Sequence, residues 1–112
     1  MNKHLLAVII SSAVAGFSTG AIGQDVDVAA AEALAKKNGC LKCHSVTQKK
    51  DAPSYKEIAG KYKGKPDGEQ KLYTHLTTSP KVKVDGKEEM HDPLKTKNDA
   101  EIKNVVRWIL SR

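Results

Sequence analysis

Residues 39–44 read Gly39-Cys40-Leu41-Lys42-Cys43-His44, and the fold follows from how that stretch is read. C-x-x-C-H is the spacing of covalent haem attachment. Two thiols at this separation can reach two vinyl groups on one porphyrin edge. The histidine that follows can then turn its imidazole beneath the iron. These are the two cysteines of a 112-residue chain. Other uses of the pair fit less well. A thioredoxin-like redox pair opens a helix after a strand, and no strand pattern precedes Cys40. A Cys40–Cys43 disulfide closes a loop too small to stabilise much. A zinc site asks for more ligands at regular spacing, and His75 and His91 do not pair in that way.

Outward from this turn the pattern is helical. Upstream, Asp25 to Asn38 predicts a helix capped by Asp25 or Asp27. It is rich in alanine, with a narrow apolar stripe at Val28, Ala31, Leu34 and Ala35, and Gly39 stops it. Downstream, Ser54 caps a helix over Tyr55–Tyr62 whose apolar set is Tyr55, Ile58, Ala59 and Tyr62. Asp67 caps a third helix running to about Thr77 with Leu72, Tyr73 and Leu76 on its apolar side. Ser79-Pro80 ends that helix. The last helix, Asp99 to Leu110, is capped by Asn98 and carries Ile102, Val105, Val106, Ile109 and Leu110 on one face. Trp108 falls on the flank of that face. Between these helices, Lys81 to Lys97 shows no helical period and reads as a long, mostly irregular loop with a turn at Asp85-Gly86. Val82 and Val84 alternate with lysines there, a weak strand signal. The fold class expected is all-α, about four helices with one long loop before the last.

The amino end reads as a leader. Met1-Asn2-Lys3-His4 is a short basic segment, Leu5 to Phe17 is apolar, and Ala21-Ile22-Gly23 offers a small-x-small cleavage site. This is the pattern of a secretory signal peptide over residues 1–23. A mature domain over 24–112 then begins at Gln24. The apolar run is too short for a spanning helix, which needs ~20 residues, and no later run is longer. Tyr55, Tyr62, Tyr73 and Trp108 are the only aromatics after the leader. So thin a core calls for a staple, and a bound prosthetic group supplies one. The formal net charge is +6, of which Lys3 in the leader carries one. A basic chain can bind nucleic acid, but export argues against that partner. The chain is too short for a nucleotide-binding βαβ fold with a second domain. It holds no collagen period, heptad array or low-complexity tract.

With these residues on the page, the chain resembles the small monohaem class-I cytochromes c of bacteria. Gly39-Cys-Leu-Lys-Cys-His-Ser-Val, the run Ala52-Pro53-Ser-Tyr-Lys-Glu-Ile-Ala and the ending Val105-Val-Arg-Trp-Ile-Leu-Ser carry the likeness, which covers nearly all of 24–112. The resemblance implies one covalent haem c wrapped by helices, with the first and last crossing. It implies thioether bonds to Cys40 and Cys43 and His44 as proximal iron ligand. Pro53 would lie on the haem face with its carbonyl accepting the His44 Nδ1–H. Tyr55, Ile58, Tyr62, Leu72 and Leu76 would wall the pocket. His75 is expected as a surface or otherwise satisfied histidine. Ala52 stands where the family commonly has glycine.

For the distal ligand two neighbours compete. Met90 is the sole methionine after the leader, lies in the loop where the family places its ligand, and is the first choice. It is followed by His91-Asp92-Pro93, whereas the family has proline directly after methionine. Counting back from the last cap favours His91, and the charged surroundings suit an imidazole. Both stay candidates. The function expected is periplasmic one-electron transfer and not enzymatic catalysis. The alternatives are a haem sensor or enzyme with a weak distal ligand, or a fixed electron-transfer subunit of a larger oxidoreductase complex. Partners are expected to be redox proteins with acidic docking surfaces meeting a lysine-bearing face near Lys42. Neither nucleic acid nor stable membrane insertion is expected, and the chain should be a monomer.

Overall fold

The computed structural model describes residues 25–112, so the expected leader and the start at Gln24 lie outside the described residues. Helix α1 spans Val28–Lys37. Asp27 caps it by accepting the Ala30 N–H at 3.0 Å. Its end is set by Gly39, whose φ of +70° is the left-handed conformation a glycine adopts without penalty. A single 3₁₀ turn, Cys40–Lys42, follows at once.

Helix α2 covers Tyr55–Tyr62 and starts with a full capping box. Ser54 Oγ accepts the Glu57 N–H at 3.1 Å, and Glu57 Oε2 accepts the Ser54 N–H at 2.8 Å. Each side chain satisfies a donor the helix itself leaves unpaired. Helix α3 spans Gly68–Thr77. Here one expectation is corrected. Asp67 stands at the cap position but makes no side-chain cap bond; its carboxylate pairs with Lys71 at 2.8 Å instead.

The segment after α3 brings a second correction. Lys81–Val84 and Lys87–Met90 form an antiparallel hairpin, β1 and β2, rather than an irregular loop. Asp85 and Gly86 both have positive φ, 49° and 78°. That is the two-residue turn whose twist matches paired strands. The ladder runs on past Met90, with the His91 N–H donating to the Pro80 carbonyl at 2.8 Å.

Helix α4, Asp99–Leu110, is capped by Asn98 and packs against α1, α2 and α3. Its face Ile102, Val105, Val106 and Ile109 is buried as the periodicity requires. Trp108, expected on the flank, is only 1 % exposed and belongs to the core. On α1 the buried residues are Ala31 and Ala35, whose small side chains let the two helices approach closely. A pair of bonds joins them. Asn104 Oδ1 accepts the Asp27 N–H, and Asn104 Nδ2 donates to the Asp27 carbonyl, both at 2.9 Å. Leu94, in the segment after the hairpin, is buried too and donates its N–H to the Leu76 carbonyl at 2.8 Å. The fold class is all-α as expected, with four α-helices and one small hairpin among the described residues.

Candidate haem-binding site

The 3₁₀ turn presents Cys40, Cys43 and His44 together. The turn is closed by the Cys43 and His44 N–H groups, which both reach the Cys40 carbonyl, at 3.3 and 3.0 Å. Both thiols are unpaired and half-buried. Burial pushes the Cys40 thiol above its ordinary pKa, so it is held protonated. Burial, with Cys40 alongside, also raises the Tyr55 phenol.

His44 is held on two sides. Its Nδ1–H donates to the Pro53 carbonyl at 2.6 Å, the bond expected from the sequence. Its ring stacks on Tyr55 with centroids 5.2 Å apart and planes 19° from parallel. Tyr55 in turn meets Trp108 edge-on at 5.0 Å, tying the imidazole to the core of α4. With Nδ1 occupied, Nε2 is left for a metal, and the carbonyl makes the ring a more basic ligand.

Across from His44 stands His91, with ring centroids 6.3 Å apart. Two imidazoles bound to one metal from opposite sides, each through a bond of ~2 Å, hold their centroids roughly 6.4 Å apart. The separation is therefore one at which the two rings could hold a single metal ion between them. His91 Nδ1 is buried with no hydrogen-bond partner. The His75 ring, half-buried rather than at the surface, packs against His91 edge-on at 4.5 Å. Burial holds the pKa values of both histidines below the ordinary histidine value, with neighbouring imidazoles adding to the effect. Both rings are thus neutral near pH 7, the form that ligates.

Met90 lies elsewhere. It is 58 % exposed. In the ladder it pairs with Lys81, among the exposed side chains of the hairpin. Of the residues expected to wall the pocket, Tyr55, Leu72 and Leu76 are buried in the apolar cluster, and Ile58 and Tyr62 are half-buried against it. Two contributors escaped the sequence reading. Leu94 carries no periodic signal, and His75 reads as an ordinary helical residue.

Beside the cysteine turn, Lys36, Lys37, Lys42, Lys95 and Lys97 line a groove with Asp92 as its one acid. Its other walls come from Asn38, Gly39, Pro93 and Leu94.

The family model described as Cytochrome c matches residues 28–112. Cytochrome c-552 of Hydrogenobacter thermophilus is 32% identical over 114 residues, covering 99% of this chain and 98% of that protein. Cytochrome c2 of Rubrivivax gelatinosus is 42% identical over 78 residues, 69% of this chain and 91% of its own length. Among solved structures, the class 1 cytochrome MtoD of Sideroxydans lithotrophicus superposes with a TM-score of 0.74 at 52% identity, covering 78% of this chain and 97% of that one.

Proposed function

The chain belongs to the cytochrome c family, its cofactor is a covalently attached c-type haem, and on that premise we propose that it carries single electrons between redox proteins in the periplasm on one haem. The observation that carries this reading is the turn in which Cys40, Cys43 and His44 stand together with His44 Nδ1 pinned to Pro53 at 2.6 Å.

The haem supplies the redox chemistry; the protein supplies attachment, orientation and a dry surround. Cys40 and Cys43 take the thioether bonds. His44 serves as proximal ligand, and the Pro53 carbonyl fixes its tautomer. Tyr55 keeps the ring from swinging. Tyr55, Leu72 and Leu76, buried in the apolar cluster, would help to keep water from the bound cofactor, which would tune the potential through the local dielectric. An iron with both axial positions filled by protein has no place for a substrate. That suits outer-sphere transfer rather than catalysis.

The groove of five lysines beside the cysteine turn supports a partner with an acidic surface. Opposite charge speeds encounter and makes the rate fall with salt. The basic n-region, apolar run and small-x-small site before Gln24 support export. Among the described residues no helix is long and apolar enough to cross a membrane. We take the molecule to travel as a monomer.

Intact-mass analysis of the protein recovered from a periplasmic fraction tests the proposal. The expected mass is that of a chain starting at Gln24 plus one haem, and it should lose a thioether when Cys40 is replaced by Ala. A chain recovered without haem, or with the leader attached, would contradict it.

A further inference from the structure

The hairpin decides something that the order of residues 90 and 91 leaves open. Side chains along a strand alternate between its two faces. The pairing puts Lys81 opposite Met90, and Val82 opposite Glu89. Pro80, Val82, Val84 and His91 therefore share one face with Lys87 and Glu89; the first four are half-buried, while Lys87 and Glu89 are exposed. Lys81, Lys83, Glu88 and Met90 share the other, and all four are exposed. Met90 and His91 are adjacent in the ladder, so they cannot both face inward.

The register that makes this choice is fixed locally. A two-residue turn with positive φ at both Asp85 and Gly86 allows one pairing of the flanking strands. The Pro80–His91 bond at 2.8 Å continues that pairing up to the histidine. To bring Met90 inward the strand would have to slip by one residue, which would break the ladder and carry Val82 and Val84 out of register with it.

From this register, and from the 6.3 Å between the His44 and His91 rings, we infer that His91, and not Met90, is the distal axial ligand, so that the iron is held by two imidazoles. The inference rests on the haem reading above and deepens it. His75 is the positioning residue. Its ring stands 4.5 Å from that of His91 and keeps the imidazole turned towards His44. Met90, solvated among lysines and a glutamate, has no role in ligation.

The consequence is redox chemistry of another range. A thioether ligand raises the potential of a c-type haem, so two imidazoles set it lower than in His/Met relatives and select different partners.

The test uses the haem-loaded mature protein and reads coordination, not transfer rate. The ferric wild type should be low-spin and should lack the far-red sulfur-to-iron absorption band. Met90→Ala should leave both the spectrum and the potential unchanged. His91→Met, which puts a thioether at the inward position, should gain the band. His91→Ala should turn high-spin and recover the low-spin spectrum on adding imidazole. His75→Phe should keep the low-spin state. A far-red band in the wild type that Met90→Ala abolishes would overturn the inference while leaving the haem reading standing. A high-spin wild type would overturn it as well. Absence of covalent haem from the wild type would instead sink the reading on which the inference rests. The wild-type and Met90→Ala spectra decide between these results even if a His91 variant fails to mature.

Discussion

Trp108 shows how much one side chain contributes to a core with few large residues. It is fully enclosed, braces Tyr55 edge-on and through Tyr55 fixes the plane of His44. Replacing it with Ala removes a buried aromatic and leaves a cavity. The expected cost is ~3–5 kcal/mol in denaturant unfolding of the haem-loaded protein. Trp108→Phe keeps most of the buried aromatic volume and should cost less than half as much. A loss below ~1 kcal/mol for Trp108→Ala would mean that the residue is not part of the core. The sequence puts Trp108 only at the flank of an apolar helical face, because periodicity measures angle around one helix. It does not register Tyr55 arriving from α2. The same limit hid His75. Its neighbours Tyr73 and Leu76 mark a helix, but nothing along the chain indicates that His91 will be folded against it. By contrast the grouping of Cys40, Cys43 and His44 was legible, because they lie within one turn of chain, whereas the bond to the Pro53 carbonyl, nine residues on, came only from the family resemblance.

At the scale of elements, the helices declare themselves through caps and periods. Ser54, Asn98 and Gly39 set ends that the structure reproduces, since each cap is a bond to a residue three or four positions away. The hairpin was harder to see. Asp85-Gly86 is a strong turn pair, but β2 reads Lys-Glu-Glu-Met, with no alternation, because all four of its side chains are exposed and no buried face demands apolar residues. The joint between α2 and α3 was invisible for another reason. Gly68 opens α3 directly beneath the last turn of α2, and a Cβ there would lie 2.3 Å from the Tyr62 carbonyl oxygen. Gly68→Ala must push the two helices apart, at an expected cost of ~1–3 kcal/mol. Gly60, inside α2 with open space around it, is the control. Gly60→Ala should raise stability by ~0.5–1 kcal/mol through helix propensity alone. Thermal or denaturant unfolding of the two variants checks both signs, and equal effects would mean that the contact with Tyr62 is not felt.

Across the whole molecule, the four helices of the described residues are joined through α4, which packs against α1, α2 and α3. α1 and α4 are held by Ala31, Ala35 and the paired Asp27–Asn104 bonds, while His44 and His91 face each other from separate segments with no direct bond between them. With so few large apolar residues in the chain, the haem is expected to form a large part of the core, and its attachment and folding to be coupled. A Cys40→Ala/Cys43→Ala chain should show weak helical circular dichroism and no cooperative melt; a well-folded apo form would contradict this. The reading of the protein as a carrier rests on an iron whose axial positions both belong to the chain. The most direct measurement is the visible spectrum of the purified, haem-loaded protein in its oxidised and reduced states, the latter repeated under carbon monoxide. The expected result is a low-spin haem in both oxidation states that carbon monoxide leaves unchanged. A high-spin iron that takes up carbon monoxide readily would show an open coordination site and contradict the assignment as an electron carrier.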